Sequence, residues 1–120
     1  MSKDDAKSTR LGREAASIAE MVESIIGCKW SLHVLAQIRR GVNRPGAIER
    51  SAEGLSAKVL GERLDKLVRF GIAERKAFPE VPPRVEYHLT PLGQRFVAIV
   101  DQVEAVQREI DDERRKRGPV

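Results

Sequence analysis

Apolar residues return at intervals of three and four along most of this chain and give way to alternation in one stretch, residues 72–89. Ala15, Ile18, Ala19, Val22, Ile25 and Ile26 form one face of a helix predicted over Glu14–Ile26 and ended by Gly27. Trp30, Val34, Leu35 and Ile38 line a second helix that stops at Gly41; as the most apolar, it belongs at the centre. A short third helix over Arg44–Arg50 turns Ala47 and Ile48 inward and takes Pro45 in its first turn. After a break containing Gly54, Ser56 stands as N-cap of a helix running to Phe70. Leu60, Leu64 and Leu67 share one side of it, while Lys58, Glu62, Asp65 and Arg69 face the other.

Gly71 ends that helix, and two strand-like runs, 72–78 and 84–89, flank Pro79-Glu80-Val81-Pro82-Pro83. Each proline removes a backbone donor and fixes φ, so this tip is a stiff loop and the flanking runs make a β-hairpin. Val85, Tyr87 and Leu89 alternate along one face of the returning strand. From Pro91, capped by Thr90, a last helix carries Leu92, Phe96, Val97, Ile99, Val100, Val103, Val106 and Ile110, more apolar surface than a lone peripheral helix needs. The fold class is mainly α with a small β-hairpin.

With 120 residues and 41% apolar content, the chain fits one domain. It is expected over residues 13–112, between a polar, flexible N-terminal tail, 1–12, and a charged C-terminal tail, 113–120. The net charge of +4 is mild, but eight basic and four acidic residues fall between Gln37 and Arg69, so the middle of the chain holds the surplus. One cysteine excludes an intrachain disulfide. No apolar run approaches the roughly 20 residues of a membrane span and no signal core leads the chain, which predicts a cytoplasmic protein with no membrane partner. His33 and His88 are isolated, giving no metal-ligand spacing, and no nucleophile elbow, phosphate-binding loop or paired-acid pattern occurs. The expectation is a non-enzyme without metal or cofactor.

The third helix, its glycine-containing turn and the fourth helix make a helix-turn-helix, and the hairpin that follows makes it a winged one. A helix about 10–12 Å across fits a major groove about 12 Å wide. Ser56, Ala57, Lys58, Gly61 and Glu62 are then the candidate readers of double-stranded DNA, with Lys58 donating to guanine or phosphate and Glu62 accepting from cytosine. Arg63 flanks that face and either grips phosphate or braces the third helix. Arg44 and Arg50 are further phosphate candidates, and Arg84, at the foot of the stiff loop, is expected against the backbone or in the minor groove. A second reading keeps the same surface for protein contacts without specific DNA binding. Cys28 reads first as a small residue at a helix junction beside Trp30; as a sensory thiol it has neighbouring Lys29 as support. His33, on the second helix, reads first as a half-exposed helical histidine; its alternative is to line an effector pocket. A small molecule or an oxidant is thus the effector these two residues would meet.

Gly27-Cys28-Lys29-Trp30, Gly54-Leu55-Ser56-Ala57-Lys58-Val59-Leu60-Gly61-Glu62-Arg63-Leu64, Gly71-Ile72-Ala73-Glu74-Arg75 and the string from Pro79 to Gly93 resemble the HxlR family of bacterial transcriptional regulators, relatives of the MarR type. The resemblance runs from about Ser17 to about Val100. It implies a winged helix-turn-helix homodimer on a pseudo-palindromic operator, a repressor by expectation, with the N- and C-terminal helices as the dimer interface. The interface residues it implies are Ile18, Val22, Phe96, Ile99, Val100, Val103 and Val106. Three departures stand out: Cys28 replaces the second glycine of the family's Gly-Gly-Lys-Trp, Pro45 follows Arg44 where Phe is common, and Gly61 takes the place of Ser or Thr. Thiol-sensing members carry a cysteine ahead of the Gly-Gly-Lys-Trp motif, where this chain has Ser17.

Overall fold

The computed structural model describes residues 17–118. The expected tail 1–12 and the predicted helical residues 14–16 lie outside them. Helix α1, Ile18–Ile26, opens on Ser17, whose hydroxyl accepts the Glu20 N–H at 3.1 Å. Helix α2, Lys29–Arg39, starts from Cys28 in extended conformation, with no side-chain cap. It is the central helix, as its sequence demands: Val34, Leu35 and Ile38 are all buried. Trp30 sits at the rim of this core, half-buried, with its ring edge near Gly54 of the following turn.

Helix α3, Pro45–Arg50, buries Ile48 completely; helix α4, Ala57–Arg69, buries Leu60, Leu64 and Leu67. Lys58, Glu62, Asp65 and Arg69 lie exposed on the other side, as the wheel predicts. The Ser56 hydroxyl accepts the Val59 N–H at 3.1 Å and fixes where α4 begins. Gly54 and Gly71 have φ of 90° and 77°, the left-handed conformation that lets the chain turn sharply into and out of this helix.

Strands β1, Ala73–Phe78, and β2, Arg84–Leu89, pair antiparallel from Ala73↔Leu89 to Phe78↔Arg84. A third chain segment joins them. The Asn43 carbonyl accepts the Tyr87 N–H at 2.9 Å and its side-chain amide donates to the Tyr87 carbonyl at 2.6 Å, so the linker before α3 is tied to the hairpin by one residue. Tyr87 is thereby satisfied on the edge of β2 that β1 does not cover.

Helix α5, Pro91–Arg117, is seated by a close contact: a Cβ on Gly93 would lie 2.1 Å from the Ile72 carbonyl oxygen. Thr90 completes the joint, accepting the Gly93 N–H at 2.9 Å and donating its own amide to Ile72 at 3.0 Å. Phe96, Val97 and Val100 of its first half complete the core. The charged run 113–117 of the expected C-terminal tail is the last turn of α5. No breaker occurs before Gly118, and four basic side chains in the final turn complement the negative end of the helix dipole.

Candidate nucleic-acid interface

The N-terminal half of α4 is presented outward because its opposite side is committed to the core. Ser56, Ala57, Lys58 and Glu62 are exposed. Gly61 lies between them, and a Cβ there would meet nothing within 4 Å. A glycine inside a helix costs up to about 1 kcal/mol relative to alanine, and here no packing contact requires it. It leaves a shallow, open backbone in the middle of this outward face. Arg63 departs from this face: its side chain is 23% exposed, its Nε is buried without a partner, and its charge is felt at Cys28 on the far flank. It flanks the face, as expected, with its Nε turned inward.

A groove of about 460 Å³ separates α3 from the hairpin tip, lined by Arg44, Pro45, Arg50, Glu80, Pro82 and Arg84 among others. Arg44 and Arg50 are exposed and, like Lys58, make no ion pair among the described residues. Arg84 differs from expectation. Its guanidinium forms ion pairs with Glu80 at 2.9 Å and Glu86 at 3.4 Å and lies over the Phe78 ring, 4.1 Å from its centroid. Phe78 is its cross-strand partner in the register, so hairpin pairing itself brings ring and cation together. Glu86 is held below the usual carboxylate range first by its hydrogen bond to His88 and then by the charges of Arg84, His88 and Arg44, against a partial burial that works the other way. The wing's foot is a neutralised network, and the unpaired cations stand across the groove on α3.

The two candidate effector residues fall at different places. His33 Nε2 is 2.8 Å from the Ser51 hydroxyl, which gives its one proton to the Ile48 carbonyl; Nε2 therefore carries the proton donated to Ser51. His33 locks α2 to the helix-turn-helix turn, with Trp30 edge-on at 5.7 Å between ring centroids. It does not line the cleft between α2 and α5, which is formed by Leu32, Leu35, Ala36, Arg39, Val97, Val100 and Glu104 and holds only about 70 Å³. Cys28, half-buried at the α1–α2 junction, meets Lys66 of α4 rather than Lys29: the Lys66 ammonium donates to its sulfur at 3.3 Å. That hydrogen bond, followed by the charges of Lys66 and Arg63, holds the thiol below its ordinary range although partial burial opposes it. Lys29 instead lies over the Trp30 ring at 5.3 Å.

Two of the expected interface residues are corrected by burial. Phe96 is 0% and Val100 5% exposed within one chain, because both pack into its hydrophobic core. Ile99, Val103, Val106 and Ile110 remain 38–50% exposed on the next face of α5, and Ile18 of α1 is 46% exposed. Val22 packs partly against the core. Sequence reasoning missed the bidentate pair that joins α2 to α5, Arg39 with Asp101 at 2.6 Å for each bond, and it missed Lys66 beside Cys28. Residues 62 and 38 positions apart leave no local pattern by which either pair could be found. Among the described residues no group of three or more His, Cys, Asp or Glu is placed to hold a metal ion, and no helix is long and apolar enough to cross a membrane.

Short helix, glycine turn, outward-facing helix and braced hairpin define a winged helix-turn-helix protein, of the class that places one helix in a DNA groove. Residues 25–114 match the model of the family described as HxlR-like helix-turn-helix, and the chain belongs to that family. A regulator from Escherichia coli K12, YtfH, described as an uncharacterised HTH-type transcriptional regulator, is 38% identical over 80 residues, covering 63% of this chain and 64% of that protein. The chain thus spans slightly under two thirds of that relative's length. A MarR-family transcriptional regulator from Enterococcus faecalis V583 superposes with a TM-score of 0.71 at 29% identity, over 79% of this chain and 86% of that one. The redox regulator HypR in its reduced form gives a TM-score of 0.67 at 27% identity, over 82% of this chain and all of that one, and it has also been solved oxidised. These relatives are regulators, not enzymes.

Proposed function

We propose that the protein is a transcriptional regulator, a repressor, that binds a pseudo-palindromic DNA operator as a homodimer. The observation that carries this reading is the outward half of α4, where Ser56, Lys58 and Glu62 surround a glycine whose side-chain space is open, with the unpaired Arg44 and Arg50 beside it. Lys58 and Glu62 supply a donor and an acceptor to base edges, and the two α3 arginines grip the phosphates flanking them. Dimerisation uses Ile99, Val103, Val106 and Ile110, with Ile18 and Val22 of α1. Each of the α5 side chains is near half exposed, so burying it against a second copy returns roughly 1 kcal/mol. A gel-shift on a fragment of the protein's own promoter tests the DNA reading: Lys58→Ala, folded by circular dichroism, is expected to bind more weakly. Full affinity in that variant would move the reading surface elsewhere and favour the protein-contact alternative.

A second reading concerns regulation, and the Lys66-bonded thiol favours it. The similarity to a redox regulator supports an oxidant as effector, with Cys28 as the group it meets. If DNA release by peroxide is the same in Cys28→Ser as in the natural chain, this reading is rejected.

A further inference from the structure

The thiol is part of a built arrangement. Lys66 donates to both the Ser24 carbonyl, at 3.1 Å, and the Cys28 sulfur, at 3.3 Å, so its nitrogen is clamped against the α1–α2 turn. Cys28 stands at the N-cap of α2, where the helix dipole favours an anion. Ser31, one turn on, is 0% exposed; its hydroxyl lies beside the sulfur and helps hold the thiol below its ordinary range, without reaching hydrogen-bond geometry to any group among the described residues. A buried hydroxyl left unpaired is costly, and an oxygen placed on the sulfur would give it an acceptor.

The chemistry then meets a constraint of composition. Oxidised cysteine ordinarily resolves by condensing with a second thiol, and this chain has none. The nitrogen nucleophile in hydrogen-bond contact with the sulfur is the Lys66 amine. We propose that a hydroperoxide converts Cys28 and Lys66 into an intrachain sulfenamide cross-link, with Lys66 acting as the resolving residue. In the first step the thiolate attacks the peroxide; an S–O bond forms, the O–O bond breaks, sulfur is oxidised by two electrons and the peroxide leaves as alcohol or water. In the second step Lys66 surrenders a proton to solvent and attacks the sulfenic sulfur; the S–N bond forms, the S–O bond breaks and water departs. Thiol, amine and hydroperoxide thus become sulfenamide, alcohol and water, and attack by an external thiol on the S–N bond opens it again. The cross-link ties the recognition helix α4 covalently to the α1–α2 turn.

This inference rests on the oxidant reading of Cys28, and one experiment separates them. The full-length protein is treated with hydrogen peroxide, digested without reductant and mapped by mass spectrometry. The expected product is the Cys28 peptide joined to the Lys66 peptide, lighter than the free pair by two hydrogens and released by a thiol reductant. It should vanish in Cys28→Ser and in Lys66→Arg, which keeps the cation; in the latter, sulfenic acid should accumulate and be captured by a 1,3-diketone. Cys28 found only as sulfinic acid, or only as a disulfide to another molecule, with the Lys66 amine still open to acylation, overturns the cross-link but leaves the oxidant reading. Cys28 recovered unmodified overturns both.

Discussion

Arg84 carries one positive charge and touches two negative ones. With Glu80 and Glu86 in contact and the Phe78 ring beneath it, its charge is spent inside the hairpin, whereas Arg44 and Arg50 make no ion pair among the described residues. Counterion release follows the cations that meet phosphate. Arg44→Ala and Arg50→Ala are therefore each expected to flatten the slope of log affinity against log salt by about one unit, while Arg84→Ala leaves the slope near its natural value. Titrating operator binding over a salt series decides it; a flattened slope in Arg84→Ala would mean that DNA pulls the guanidinium off its carboxylates. Both acids were visible in the string around Arg84, but their convergence was not. Glu86 shares Arg84's face of the strand by alternation, but Glu80 is on the tip, and only the turn brings it back to the same guanidinium. Cys28 teaches the same lesson at longer range: its neighbour in sequence, Lys29, turns away to Trp30, and the cation that reaches it comes from another helix.

Elements, by contrast, were legible nearly throughout, because helix faces and strand alternation are local patterns and Ser56, Gly71, Thr90 and Pro91 mark their ends in one or two residues. The far end of α5 is marked only by Gly118, since a run of Glu and Arg has helix-forming propensity but no apolar residue to reveal its period. Two glycines show how position within an element decides a residue's worth. Gly93 faces the Ile72 carbonyl with no room for a methyl group, so Gly93→Ala is expected to destabilise the fold by about 1–3 kcal/mol, read from the midpoint of chemical unfolding. Gly61 faces open space inside α4; Gly61→Ala should stabilise by up to about 1 kcal/mol in the same measurement. It should also weaken operator binding if DNA approaches that backbone closely. Stabilisation with unchanged affinity would show that DNA contacts the helix on either side of position 61.

For the whole molecule, α5 divides into a half that closes the core and a half that does not. Val103→Asp is expected to give a folded monomer by light scattering, while Phe96→Asp, which buries a carboxylate in the core, is expected to unfold the chain. A persistent dimer in Val103→Asp would remove this stripe from the interface. The Arg39–Asp101 pair fastens α5 to α2 near the junction of the two halves. Its hydrogen bond holds the Asp101 carboxyl below the ordinary range, so its contribution is present above the unfolded carboxylate pKa and is lost as pH falls through the depressed folded value. The stability difference between the natural chain and Asp101→Asn should accordingly be constant near neutrality and shrink under acid; a difference that is flat down to the acid transition would mean the pair adds nothing. The sequence had shown surplus apolar surface on this helix but could not apportion it between core and partner, because one stripe drifts into the next around the same cylinder. Mechanically, α5 is an oar. It is about 40 Å long and pinned near one end at Gly93, with Asp101 as its oarlock, so a tilt of about 10° there sweeps the far tip through roughly 4 Å. In a pair of such molecules joined at the blades, a disturbance at α2 too small to unfold anything would change the stride between two reading helices that must match a groove repeat of about 34 Å.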